Sequence, residues 1–269
     1  MIKQVITDNG LIADLFTGET VQIGKAIIML GGSEGGKGWS RIKRPIELLV
    51  HKGYSVLSLA YFKAQGLPNS LEEIPLEYFE KAFTWLSNQK GIAANEYAIL
   101  GGSKGTEAAL ILGSKYPQVK VVIAFSPSSV VWQGIPSKRF EIGKDVKSSW
   151  SYRGECLPFL AYSAPAIKKL DLILMRLREM HEEALQNTTR ARNAAIEVER
   201  IQGSILLISG DRDRLWPATE MSQMIMNRLK AYEFDHNYEH ITHDTGHSGI
   251  IMRKDCWRKA FNFLENHSA

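Results

Sequence analysis

The chain has 269 residues, of which 44% are hydrophobic and 23% charged, with a formal net charge of +4, a composition suited to one large α/β domain with a deep core. Its basic and acidic residues are interspersed and form no basic block with interleaved aromatics, which excludes a nucleic-acid groove. Two cysteines far apart in sequence, Cys156 and Cys256, argue against a disulfide framework or a metal site, and the most apolar early run, Ala26 to Leu30, is too short to span a bilayer. The expectation is a cytoplasmic protein with free thiols, no membrane association and neither metal nor cofactor.

In chain order, Ile2 to Thr7 and Leu11 to Phe16 flank Asp8-Asn9-Gly10 and predict an antiparallel hairpin at a sheet edge, because Asn-Gly favours a tight turn. Ala26 to Leu30 reads as a strand running into the glycine-rich Gly31 to Gly36, which lacks the spacing of phosphate-cradling loops, so no nucleotide cofactor is expected. A helix over roughly Ile42 to Lys52 leads to a strand at Tyr54 to Ala60. Ser70 and Glu73 stand at capping-box spacing before a helix whose Leu76, Phe79, Phe83 and Leu86 share one face. Strands are predicted at Tyr97 to Leu100, Lys120 to Phe125, Ser204 to Ser209 and Tyr238 to Thr242, and a final helix carries Trp257, Ala260, Phe261 and Leu264 on its inner face.

This alternation predicts an α/β fold with a mostly parallel central sheet covered by helices on both faces. Between the strands at 120–125 and 204–209 no strand is expected, and a long helical run extends from about Pro165 to Gln186. We read this stretch as a helical cap insertion at about 130–200 within a single domain over 1–269, placed to shape a pocket and exclude water.

The chemistry centres on Gly101-Gly102-Ser103-Lys104-Gly105, where the strand ending at Leu100 meets a helix over Thr106 to Leu112. A serine on such a turn is pushed out above the sheet, and the flanking glycines spare it a collision with neighbouring elements. A neutral hydroxyl needs a base and an orienting acid. Asp211 and Asp213 follow the strand at 204–209, and either could serve by position alone. For the base, His247 in the loop Thr245-Gly246-His247-Ser248-Gly249 is best placed and His243 is next, while His51, His181, His236, His240 and His267 fit helix or strand surfaces. Serine, aspartate, histidine is the triad order of α/β-hydrolases. The oxyanion donors are expected to be the amide of Lys104 and the glycine-rich loop, with Ser33 first and Glu34 next.

These segments resemble the catalytic domain of the acyl-CoA thioesterase and bile acid-CoA:amino acid N-acyltransferase family, a branch of the α/β-hydrolases. The resemblance runs through Leu30 to Gly36, the elbow up to Glu107, Ala60-Tyr61-Phe62, Leu67-Pro68, Leu71 to Phe79, and Ile201 to Gly210 with Asp213 and Trp216. It implies that Asp213 rather than Asp211 is the triad acid. Serine at the elbow resembles the thioesterase branch and implies water as final acceptor, since the N-acyltransferases carry cysteine there. Animal members have an N-terminal β-domain before this part, and this chain starts almost directly with the catalytic segment. The expected reaction is hydrolysis of an acyl-CoA through an acyl-serine. Alternatives are an esterase or lactone hydrolase on a substrate without CoA, an N-acyltransferase, and a ligand-binding protein that keeps the fold without turnover. If CoA is the leaving group, Lys37, Arg41, Lys43 and Arg44, with Lys104 beside the nucleophile, are the cations expected to meet its phosphates.

Overall fold

The computed structural model describes residues 1–19, 25–92, 94–138, 141–163, 169–174 and 176–267. The chain opens with the expected hairpin, β1 (Ile2–Asp8) and β2 (Leu11–Thr17), joined through Asn9 at φ 48° and Gly10 at φ 77°, the positive values that a tight hairpin turn requires. β3 (Ala26–Leu30), α1 (Lys43–His51), β4 (Ser55–Ala60), the short β5 (Ile74–Pro75), α2 (Glu77–Asn88), β6 (Tyr97–Gly102), α3 (Lys104–Lys115) and β7 (Val119–Phe125) follow. Then come β8 (Trp150–Tyr152), β9 (Glu155–Cys156), α4 (Lys169–Leu174), α5 (Arg178–Gln186), α6 (Thr188–Asn193), β10 (Ser204–Gly210), α7 (Ala218–Ala231), β11 (Tyr238–His243), α8 (Gly249–Met252) and α9 (Lys254–His267).

Among the described residues an eight-stranded sheet runs in the order β1-β2-β4-β3-β6-β7-β10-β11. β2 pairs antiparallel with β1 and β4, and the remaining pairs are parallel. β3, β4, β6 and β10 are buried at every position, as strands covered on both faces must be. Their side chains alternate between two cores: Ile28, Ile99 and Leu207 pack with Phe79, Phe83 and Leu110 on one face, whereas Ile27, Leu100 and Ile208 pack with Leu49, Trp257 and Phe261 on the other. The parallel register sets Leu30 beside Gly101, Gly102 beside Phe125 and Gly210 beside His243. The loops after these strand ends therefore open on one edge of the sheet, where α/β proteins place their sites.

Three local expectations are corrected. Ser70 and Glu73 form no capping box: α2 starts at Glu77 after Leu76, and Glu73 sits at φ 51° just before β5. Pairing with β8 holds that segment extended, with Ile74 beside Trp150, so a tertiary contact overrides the local cap signal. The stretch between β7 and β10 contains strands after all, because β8 and β9 join β5 in a three-stranded sheet. The long helical run is divided: its residues 165–168 and 175 lie outside the described residues, and α4 and α5 are separate helices, the second starting after Leu177. A third cluster, with Val130, Trp132, Leu160 and Ala184 against Trp216 and Met221, packs this stretch onto the main body.

Candidate active site

Ser103 lies between β6 and α3 at φ 52° and ψ −124°, a conformation that costs an ordinary residue about 1–3 kcal/mol and persists only where its surroundings enforce it. The enforcement is visible in the close approach of α3 to β3. A Cβ on Gly105 would stand 2.3 Å from the Leu30 carbonyl oxygen, and one on Gly101 2.4 Å from the Gly105 oxygen. The Ser103 N–H donates to Phe125 O at 2.9 Å, which ties the turn to β7. Lys104, the first residue of α3, keeps its N–H outside the helix's own hydrogen-bond ladder. Ser33, Ser103 and Lys104 line one small cavity of about 60 Å³.

Glu34 does not line that cavity. Its carboxylate accepts the Gly32 N–H at 2.9 Å and fills the space where a Cβ on Gly31 or Gly38 would sit, 2.6 and 2.8 Å away. It braces the glycine-rich loop from behind.

The two later loops meet over the sheet edge. His247 Nδ1 is 2.6 Å from Asp213 Oδ2, and Asp213 Oδ1 accepts the N–H groups of Leu215 and Trp216 at 2.8 and 3.2 Å. The Asp213 side chain is fully buried, while Asp211 is exposed. Ser126, at φ 57° just past β7, donates its hydroxyl to His247 O at 3.0 Å and so fixes the histidine's backbone. With Nδ1 committed to Asp213, Nε2 of His247 is buried and without a partner among the described residues. Ser103 Oγ makes no hydrogen bond to it, and in ligand-free hydrolases that bond often closes only around substrate. Trp216 joins the two halves, lining the cavity with Ser103 and packing edge-on to the His247 ring with centroids 5.5 Å apart. His243 turns instead toward Asp255, 3.7 Å away. His243, Asp255 and Cys256 lie close enough to share a metal ion, but Arg253 already holds Asp255 at 2.6 Å and burial pushes the Cys256 thiol up to about 11.

The far wall corrects the expectation for His181, which is 4% exposed and lines the cavity together with Tyr162, Leu177 and Met180. Its ring packs against Trp132, Tyr162 and Trp216 with centroids 4.6, 5.0 and 5.8 Å away. Nδ1 lies 2.7 Å from Leu177 O and Nε2 3.0 Å from the Tyr162 hydroxyl. A carbonyl can only accept, so Nδ1 carries the proton and Nε2 accepts from the tyrosine. Burial pushes the His181 pKa down to about 4, which keeps the ring neutral.

The cations expected at the mouth are placed elsewhere. Lys37 Nζ is 2.5 Å from Asp14 Oδ1 and Lys3 Nζ 2.9 Å from Oδ2; burial works to raise the Asp14 pKa, but the polar and charged groups around it, the two lysines foremost, together hold it below its usual value. Arg41, Lys43 and Arg44 are exposed and line no part of the cavity. The Lys104 side chain is buried, with Nζ 2.6 Å from Glu107 Oε1 and donating to Ser149 Oγ at 2.7 Å. Glu107 Oε2 accepts from Trp132 N and Trp150 Nε1, both at 3.1 Å. Burial lowers the lysine's pKa and raises the glutamate's. A lysine so enclosed has no ammonium to offer a phosphate.

The family described as BAAT / acyl-CoA thioester hydrolase C terminal matches residues 74–251, a span that includes Ser103, Asp213 and His247. The chain belongs to this family. Acyl-coenzyme A thioesterase 2, mitochondrial, of Mus musculus is 26% identical over 202 residues, 73% of this chain and 40% of that protein. Acyl-coenzyme A thioesterase 1 of Homo sapiens is 25% identical over 197 residues, 73% of this chain and 43% of its own length. The chain thus spans about two fifths of the length of these relatives. An esterase of Pyrococcus furiosus, 17% identical, superposes with a TM-score of 0.61 over 100% of this chain and 92% of that one. A putative dienelactone hydrolase of Klebsiella pneumoniae, 12% identical, gives a TM-score of 0.59 over 97% and 95%. The fold is that of the α/β-hydrolases. Among the described residues no helix is long and apolar enough to cross a membrane.

Within this family member, sequence reasoning missed His181, Tyr162, Ser126 and the side-chain pair of Lys104 and Glu107. Ser126 carried a weak signal, as a small polar residue just past a predicted strand. Nothing local marked His181, because its burial depends on Trp132 and Trp216, distant in sequence.

Proposed function

We propose that this chain is a serine thioesterase that transfers the acyl group of an acyl-CoA to Ser103 and then hydrolyses the ester. The observation that carries the reading is the His247–Asp213 contact at 2.6 Å, which leaves Nε2 unpartnered among the described residues, in a family member whose Trp216 packs on the His247 ring and lines the cavity of the strained Ser103 elbow. In this mechanism Nε2 takes the proton of Ser103 Oγ as Oγ adds to the thioester carbonyl carbon. The oxyanion is held by the N–H groups of Lys104 and Ser33. The C–S bond then breaks, and the imidazolium returns its proton to the departing sulfur. Water, deprotonated by the same nitrogen, adds to the acyl-serine and releases the free acid. Asp213 stays ionised and fixes the Nδ1–H tautomer.

The insertion at about 130–200 acts as a cap, since Tyr162, Leu177, Met180 and His181 close the cavity above Ser103, and cap and core together make one domain. Serine at the elbow favours water over an amine as acceptor. Cys156, exposed, and Cys256, buried, are unpaired, in keeping with a reducing, cytoplasmic setting. A second reading, an esterase or lactone hydrolase, draws support from the cavity itself. Its roughly 60 Å³ is small beside pockets of about 300–1,000 Å³ that enclose drug-sized ligands, and suits a compact acyl group.

The test is a panel of acyl-CoAs of graded chain length beside aryl esters, run on wild type, Ser103→Ala and His247→Ala. We expect both variants to lose kcat by about 10⁴-fold or more, with an acyl adduct on Ser103 trapped in the wild type. Near-normal turnover in either variant rejects the serine mechanism, and turnover of esters alone rejects the thioesterase.

A further inference from the structure

A second hollow, of about 440 Å³, lies beside the cavity at Ser103 and is lined by Asp171, Arg176, Arg178, Glu179 and Arg214. The two spaces share a wall. Leu172, Leu177 and Leu215 face the Ser103 cavity, while their chain neighbours Asp171, Arg176 and Arg214 face the hollow. That wall is fixed in place: the Arg178 N–H donates to Arg214 O at 3.0 Å, and the Arg178 guanidinium donates to Asp213 O at 3.1 Å. Arg178 is already neutralised by Glu182 at 2.7 Å and by Glu220. Arg176 and Arg214 differ from it, for both are exposed and neither has a carboxylate partner among the described residues.

We infer that this hollow holds the nucleotide end of the CoA leaving group, with the Arg176 and Arg214 guanidiniums on its phosphates. The assignment rests on the thioesterase reading, which requires an acyl group at Ser103 and a polyanionic tail leading away from it. Guanidinium forks suit phosphate oxygens because they offer paired donors and a charge that never titrates. Asp171 and Glu179 on the same walls repel a bare anion, yet the Asp171 carboxylate can accept from the ribose hydroxyl or adenine amine that accompanies these phosphates. Guanidinium donors beside a carboxylate acceptor fit a nucleotide better than a free fatty acid or an inorganic ion. The position also explains why the cations following the glycine-rich loop are not needed: they lie off the cavity wall, and Lys37 is bound to Asp14.

The whole chain is the test object. Calorimetric titration with free CoA, and with pantetheine as the probe lacking phosphates, reads the hollow without any turnover. Wild type binds CoA more tightly than pantetheine, and Arg176→Gln/Arg214→Gln loses about tenfold in CoA affinity with an unchanged urea midpoint. In kinetics, the ratio of KM for an acyl-pantetheine to KM for the matching acyl-CoA falls about tenfold in the variant, and falls in wild type as salt is raised. Equal affinity of wild type for CoA and pantetheine, or a KM ratio the variant leaves unchanged, overturns the assignment even if acyl-CoA is hydrolysed. A chain that binds CoA through these arginines yet hydrolyses no acyl-CoA overturns the thioesterase reading and leaves the nucleotide site standing.

Discussion

Replacing Lys104 with Met tests the buried pair that lies directly under the elbow. Its ammonium and the Glu107 carboxylate are 5% and 0% exposed and 2.6 Å apart, so the substitution leaves a carboxylate deep in the core with, among the described residues, only the Trp132 N–H and the Trp150 indole as donors. Breaking a buried pair from one side costs about 3–5 kcal/mol, a large share of the roughly 5–15 kcal/mol that holds a domain folded. At about 2–4 °C per kcal/mol for a chain near this size, the melting temperature should fall by about 10 °C. Lys104→Met/Glu107→Gln should recover at least half of that, because the amide oxygen still accepts from both donors and no charge remains.

The same variant carries a pH signature. Burial raises the Glu107 pKa, and without Lys104 nothing of opposite charge offsets it. Its folded-state pKa then exceeds the unfolded one, so the folded state binds the extra proton between the two values. Stability is greatest below the unfolded value near 4.5 and is lost as pH rises through the folded pKa. The deficit of Lys104→Met relative to wild type should therefore be smaller at pH 5 than at pH 8. Urea unfolding at both values measures it. A loss below about 1 kcal/mol, or a double variant no more stable than the single one, refutes the pair as a coupled buried unit.

Asp213→Asn should lower kcat by about 10⁴-fold by favouring the wrong His247 tautomer, while Asp211→Asn, at an exposed position, changes it less than twofold or about so; steady-state kinetics on one ester suffice, and the reverse ranking breaks the assignment of the acid. Burial holds His181 near pKa 4, against 6.5 for a free imidazole. The unfolded chain therefore takes up a proton there first as pH falls below 6.5, and wild type should lose about 3 kcal/mol of stability between pH 6.5 and 4 through this residue. His181→Phe should remove that slope while lowering stability at pH 7.5, and equal slopes in the two proteins would show that the ring is not held neutral.

Much of the fold was legible in the chain itself. Burial on both faces makes a strand such as Ala26 to Leu30 uniformly apolar, and Asn9-Gly10 specifies its turn without outside help. Ser103 was legible for a similar reason, since glycines on either side of a serine at a strand-to-helix junction answer a steric demand, seen in the 2.3 Å that would separate a Cβ on Gly105 from the Leu30 carbonyl oxygen. Asp213 and His247 could be nominated from their places after predicted strands, but the choice of Asp213 over Asp211 came from a family resemblance. Only the fold brings the buried carboxylate to the histidine.

The remaining features depend on partners far away in sequence. Glu73 and Ser70 have the spacing of a cap, but β5 pairs with β8 some seventy-five residues later, and that pairing energy decides the local conformation. Lys104 and Lys37 look like free cations in the sequence because a lysine's charge is visible there and its burial is not; the structure commits one to Glu107 and the other to Asp14. His181 looks like a surface residue until Trp132, Tyr162 and Trp216 close around it. Local sterics and hydrophobic period thus fixed the strands and the elbow. Desolvation, which depends on everything packed around a side chain, decided which charged and titratable groups serve the site and which only hold it together.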